Sequence, residues 1–358
     1  MKAALDRELG LLRAKLGIPG ASAAILFPDG TMWTGTSGLA DVAARRPVTP
    51  ETPFAVGSIS KTFTAALVVS LAGEGRVDLD ASVLTYLPSL RVDARITVRD
   101  LLDHTSGLND FFFHPKIDAA LLAEPGKIWL PADSLRYVGK PYFKPGRGYH
   151  YSNTNYLVLG MLAEAVGGAP IGEQIRSRFT LPLGLTGTVY QGAQEPTVPP
   201  AHAYRFAGTS LKLPPIDLTG TASIVPFPSV VTAAGGAGSI ATTATDLVHW
   251  ARALYGGDAL SEPSLRAMLG DIPRTSIYGH GIAYGLGVQS VLLDGHPTFG
   301  HSGRLLGSQA VMRWLPTESM SIAVLTNQSR TDPQAIARRL LQIALTQPAD
   351  CTTCPGGW

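Results

Sequence analysis

Ser58 and Lys61 stand three residues apart in Ser58-Ile59-Ser60-Lys61, where a segment of helical length and periodicity, Ser60 to Glu74, begins. That spacing puts both side chains on one helical face within contact. A serine hydroxyl is a poor nucleophile at neutral pH and needs a neighbour to take its proton. A lysine whose pKa is lowered by burial or by a cationic neighbour can do so. The unpaired N–H groups of the helix start add a field that favours negative charge on a carbonyl oxygen under attack. The pattern occurs once in the chain. Taken alone, it equally describes an N-capping serine followed by a solvated lysine.

Two further clusters carry the residue types that such chemistry would need. Tyr151-Ser152-Asn153 follows a Pro145-Gly146 turn and precedes a helix expected over Asn155 to Val166. The tyrosine could carry a proton between Ser58, Lys61 and a leaving group. The asparagine could donate to a substrate carbonyl and accept from Lys61. Core filling by the tyrosine and helix capping by the asparagine are the simpler alternatives. The third cluster is Gly300-His301-Ser302-Gly303-Arg304, read as a turn just before a strand at Gln309 to Leu315. Its glycines allow close backbone approach, and the neighbouring sheet edge could receive an extended substrate.

Elements at both chain ends must bring these clusters together. Ala21 to Phe27, a Pro28-Asp29-Gly30 turn and Thr31 to Leu39 read as a hairpin. Tyr284 to Val291, Gln309 to Leu315 and Met320 to Thr326 read as three more strands, followed by a helix over 332–346. The middle is mostly helical, with Thr245 to Leu254 a further helix and a long Pro/Gly-rich connection over Gln191 to Pro228. The expected fold is α/β (α+β). Residues 1–75 and 280–358 supply an antiparallel sheet flanked by helices, 76–279 a mostly helical insertion, and the site lies in the cleft between them.

Composition narrows the function classes. With 358 residues, 45% hydrophobic and 16% charged, the chain can bury a sizeable core. A net charge of +2 without basic runs argues against nucleic acid and anionic membranes as partners. The most apolar stretch, Phe63 to Ala72, is too short to span a bilayer. Met1 to Leu9 reads as an amphipathic helix and not as a signal peptide. The expected compartment is therefore the cytoplasm, or a secreted or periplasmic one if a leader has been removed. The two cysteines, Cys351 and Cys354, form a CxxC in the C-terminal tail with no second pair to complete a zinc site. A minor structural role, with a local disulfide as one form of it, is expected. His104, His114, His150 and His202 lack metal-ligand spacing, so neither metal nor organic cofactor is expected.

S-x-x-K, then Y-x-N, then [K/H]-[S/T]-G, in that order, resembles the penicillin-recognising serine enzymes. These are the serine β-lactamases, the penicillin-binding proteins and their esterase relatives. The resemblance extends to Phe54-Ala55-Val56-Gly57, Gly75-Arg76-Val77-Asp78-Leu79-Asp80, Ile96 to Leu102, His104-Thr105-Ser106-Gly107-Leu108 and Ala234 to Ser239, segments similar to the class C branch. Within it, His301 and the Val77 to Pro88 segment are most similar to soluble D-alanyl-D-alanine carboxypeptidases. The resemblance implies Ser58 as the acylated nucleophile and Lys61 and Tyr151 as the proton-transfer pair. It implies Asn153 orienting the substrate amide, His301, Ser302, Gly303 and Arg304 along the cleft, and the N–H groups of Ser58 and Arg304 as an oxyanion hole. The implied substrates are D-Ala-D-Ala peptides, β-lactams or short acyl esters.

One stretch departs from that pattern. Carboxypeptidases of this kind present an arginine for the terminal carboxylate after the YGLG-type strand start, where this chain reads Val288-Gln289-Ser290. Arg304 is the substitute cation nearest in sequence, and a binder of neutral esters would tolerate the same arrangement. Phe111, Phe112, Phe113 and Trp129 are expected in the cleft walls. A Ser-His-Asp hydrolase fits poorly, because little chain follows Gly300-His301-Ser302-Gly303-Arg304 to supply an acid and a histidine. A catalytically inactive binding protein on this scaffold would have no need to keep Ser58, Lys61, Tyr151 and Asn153 together.

Overall fold

The computed structural model describes residues 1–206, 215–220, 223–270 and 282–346, so Cys351 and Cys354 lie outside the described residues. Its centre is an eight-stranded antiparallel sheet made from the two ends of the chain. The early strands are β1 (Gly20–Leu26), β2 (Met32–Asp41) and β3 (Arg46–Pro47). The late ones are β4 (Ile282–Tyr284), β5 (Gln289–Leu293), β6 (His296–Leu305), β7 (Ser308–Leu315) and β8 (Met320–Thr326). The spatial order is β3-β2-β1-β8-β7-β6-β5-β4, with β1 pairing to β8 so that Ala23 faces Val324.

Every residue of β1 and β8 is buried, as expected of central strands covered on both faces. Helices α1 (Lys2–Lys15) and α6 (Gln334–Thr346) cover one face, closing a core of Leu5, Leu9, Ile25, Ile322, Val324 and Leu340. The other face packs against α2 (Ser60–Gly73) and α5 (Ala244–Gly256). α2 is apolar nearly all round, which suits a helix enclosed on every side. Helix α4 (Asn153–Gly167) packs beside it, and the short α3 (Val98–Leu102) leads into the turn at His104. α4 ends on Gly168 and α5 on Gly257, both in the left-handed conformation that glycine adopts without strain.

Two sequence expectations change. The single strand read over Tyr284 to Val291 is two strands, β4 and β5. Gly285 and Val288 close a turn between them with an N–H···O bond of 2.8 Å, and Gly287 has φ +76°. The segment read as a turn around His301 is the middle of the ten-residue strand β6, which runs across the sheet between β5 and β7. Glycines disfavour strands, but here close backbone approach demands them. A Cβ at Gly300 would overlap the Met312 carbonyl, and one at Gly303 would overlap that of Val56.

Candidate active site

Ser58 lies in a tight 3-10 turn, Gly57–Ile59, that feeds directly into α2. Gly57 has φ +50°, and a Cβ there would stand 2.5 Å from the Arg304 carbonyl oxygen. Glycines at 57 and 303 thus let the turn at Ser58 and β6 touch backbone to backbone. β5 pairs only with the first half of β6, up to Gly300, so the stretch beyond it has an open edge beside Ser58. The Ser302 N–H leaves that edge and donates to Gln289 Oε1 at 3.0 Å. Because backbone N–H directions alternate along a strand, the Arg304 N–H leaves the same edge.

Lys61 is fully buried one turn after Ser58. Its Nζ lies 3.0 Å from Ser58 Oγ and donates to Asn153 Oδ1 at 2.8 Å and to the Ala237 carbonyl at 2.9 Å. Burial lowers its pKa from 10.5 to about 7, with the Asp110 carboxylate opposing that fall. Asp110 takes the Asn153 side-chain N–H at 2.7 Å and its backbone N–H at 3.1 Å. Those bonds set the Asn153 amide so that its oxygen faces Lys61. Burial raises the Asp110 pKa, against the N–H donors that favour its charged form. The other side of α2 is fixed by Trp250 of α5, which stacks on Phe63 at 4.1 Å and donates to Thr62 Oγ1 at 2.9 Å.

The Tyr151 ring centroid is 4.9 Å from Lys61 Nζ. His301 is buried in β6, with Nδ1 2.5 Å from the Ser302 carbonyl and Nε2 3.0 Å from the Tyr284 hydroxyl. Nδ1 therefore carries the proton and Nε2 accepts from Tyr284. Burial, reinforced by Lys61, lowers the His301 pKa to about 3, so this ring is neutral where the sequence pattern would otherwise place a lysine.

These groups line a cleft of about 780 Å³ with Ser58, Tyr151, Asn153, His301, Ser302, Gly303 and Arg304 on its walls. All the residues anticipated from the three motifs meet there, Lys61 lying just beneath the surface. Of the four aromatic residues expected in the walls, Phe113 is the one that lines the cleft. Phe111 and Trp129 are buried with Ile117 and Leu121 in a satellite core, and Phe112 packs against it. Sequence reasoning missed Asp110, whose partner Asn153 is 43 residues away. Among the described residues no group of three or more His, Cys, Asp or Glu could hold a metal ion, and no helix is long and apolar enough to cross a membrane.

A buried lysine against a serine at a helix start, facing the open edge of an antiparallel sheet, defines an active-site-serine acyl hydrolase. Residues 5–346 match the sequence model of the β-lactamase family, and the chain belongs to that family of serine hydrolases. It is 30% identical over 338 residues to penicillin-binding protein 4 of Amycolatopsis lactamdurans, covering 88% of this chain and 82% of that one. A D-stereospecific amidohydrolase from a Streptomyces species superposes with a TM-score of 0.81 at 31% identity, covering 94% and 97% of the two chains. The D-amino acid amidase of Ochrobactrum anthropi SV3, in complex with D-phenylalanine, gives a TM-score of 0.82 at 26% identity over 96% and 99%.

Proposed function

We propose that the enzyme hydrolyses amide or peptide bonds of D-configured substrates through an acyl-enzyme on Ser58, with D-alanyl-D-alanine carboxypeptidase-type cleavage as the leading form. The observation that carries this reading is the set of partners around Lys61 Nζ. Asn153 Oδ1 and the Ala237 carbonyl can only accept, so they take two N–H bonds of the amine. When Lys61 is neutral, its lone pair is left facing Ser58 Oγ at 3.0 Å. A pKa of about 7 keeps that form populated at neutral pH.

In this mechanism the Ser58 O–H proton passes to Lys61 as Oγ bonds to the substrate carbonyl carbon. The N–H groups of Ser58 and Arg304 hold the oxyanion. Tyr151, beside Lys61, relays the proton to the departing amine as the C–N bond breaks. Water then attacks the ester by the reverse route and frees Ser58. Asn153 orients the acyl-side amide, while Ser302 and Gly303 present the strand edge. The cleft belongs to the two-part organisation inferred above, with 76–279 as one wall and the sheet-forming ends as the other.

A second reading, cleavage of D-amino acid amides with neutral leaving groups, is favoured by Gln289. Its carboxamide oxygen accepts from the Ser302 backbone N–H, the Ser302 hydroxyl at 3.2 Å and Arg313 at 3.0 Å, in the stretch where the resemblance implies a carboxylate-binding arginine. Among the described residues that line the cleft, Arg304, exposed on its wall, is the cation open to a carboxylate. The test is intact-protein mass spectrometry after adding a penicillin, with Ser58→Ala as control, alongside hydrolysis of D-Ala-D-Ala peptide and D-alanine amide. An adduct on the wild type alone, with faster release of D-alanine from the peptide, supports the leading form. Faster turnover of the amide moves the assignment to an amidase. Adduct on both proteins removes Ser58 from the mechanism.

A further inference from the structure

His104 is an unusual residue on three counts. It is fully buried, it has φ +65° in a conformation that non-glycine side chains rarely adopt, and it lies behind the cleft wall among Tyr151, Tyr156 and Tyr284. Strain of this kind persists only where the surroundings over-determine it. The surroundings here are specific. The His104 carbonyl accepts the His150 N–H at 3.1 Å, and its ring Nδ1 accepts the Ser152 N–H at 3.2 Å. Tyr151, the residue between those two donors, is therefore tied to His104 on both sides. The His104 ring itself lies 4.2 Å from the Tyr151 ring, centroid to centroid.

The tautomer is fixed as well. Ser106 Oγ donates to Asn155 Oδ1 at 2.7 Å, which turns the Asn155 Nδ2 toward His104 Nδ1 at 3.1 Å. With two N–H donors aimed at it, Nδ1 cannot carry a proton, so the ring is neutral and protonated on Nε2. Burial and the nearby Lys61 both lower its pKa well below the ordinary imidazole value. A cation at this position would oppose the charge that Lys61 takes up when it accepts the Ser58 proton.

We propose that His104 is the positioning residue of Tyr151: it clamps the backbone on either side of the tyrosine and backs its ring, holding that ring beside Lys61. The inference rests on the proton-relay role given to Tyr151 above. It makes the turn at His104 a working part of the site, although none of its atoms lines the cleft.

The test is a double-mutant cycle on hydrolysis of D-alanine p-nitroanilide, whose departing aniline must take up a proton, with Ser58→Ala as blank. His104→Phe keeps a ring and removes the Nδ1 acceptor, and should lower kcat by about 10- to 100-fold with KM little changed. His104→Asn keeps an acceptor at the Nδ1 position and should recover part of that loss. In a Tyr151→Phe background, either substitution should cost less than about threefold, because there is no longer a phenol to position. If His104→Phe does not fold, His104→Leu, which also lacks the Nδ1 acceptor, takes its place in the cycle. An equal loss in both backgrounds, or an unchanged kcat in the single variant, overturns the proposal. A Tyr151→Phe enzyme with wild-type kcat would instead remove the relay role of the tyrosine itself.

Discussion

Replacing Lys61 by methionine should make the stability of the protein, above pH 7, less responsive to pH. In the unfolded chain this lysine titrates at its ordinary 10.5; in the fold burial lowers that to about 7. Between those values the unfolded chain binds one proton more than the folded one, so stability rises with pH. The charged, buried form costs the fold most below about pH 7, and the cost has vanished by 10.5. The full shift corresponds to about 5 kcal/mol, and the part between pH 7.5 and 9.0 to about 2 kcal/mol. Urea unfolding of both proteins at those two pH values measures it. The wild type should gain about 2 kcal/mol more than Lys61→Met on going to pH 9.0. Groups that do not interact with Lys61 cancel in that comparison. His104 and His301, the buried rings that feel Lys61, titrate below the window. The same titration should appear in catalysis as an acid limb in kcat/KM with its midpoint near 7, while Lys61→Met loses about 100- to 10,000-fold. Parallel pH responses of the two proteins would refute a neutral Lys61, and with it the lone pair aimed at Ser58.

Three other perturbations probe the rest of the site. Asp110→Asn removes the carboxylate that holds the Lys61 pKa up, the two charged groups being linked through the Asn153 amide by two hydrogen bonds. The acid limb of kcat/KM should move to lower pH by about one to two units, and an unmoved limb would show that Asp110 does not act on Lys61. Gly303→Ala drives a Cβ into the Val56 carbonyl, so the nucleophile turn must separate from β6. Stability should fall by about 1–3 kcal/mol and acylation by a penicillin by more than about 100-fold, read by unfolding and by mass spectrometry. Arg304→Gln should raise KM about three- to fivefold for a peptide with a free carboxylate and leave that for its amide unchanged, since an exposed cation contributes only modestly. Equal changes for the two would discard Arg304 as a carboxylate partner.

The proposed catalytic groups were legible in the sequence because each motif restricts residue types within a few positions, and nothing else in the chain competes for the pattern. Ser58 to Lys61 and Tyr151 to Asn153 could be read that way, as could β1, β7 and β8, whose apolar runs reflect burial on both faces. Groups whose roles come from long-range contact could not. Asp110 gains its role from Asn153, and His104, although part of the segment that carries the resemblance, gains its role from the N–H groups at 150 and 152. Phe111 and Trp129 illustrate the converse, since aromatic type alone does not separate a cleft wall from a satellite core. The strand around His301 failed for a more instructive reason. Local propensity reads the segment around Gly300 and Gly303 as a turn, while the fold uses the two glycines to bring three backbones together: β6, β7 and the turn at Ser58. A side chain at Gly303 would push the open strand edge away from Ser58. The conflict between local preference and global structure therefore falls where the chemistry needs bare backbone, and a misread strand is itself a pointer to the site.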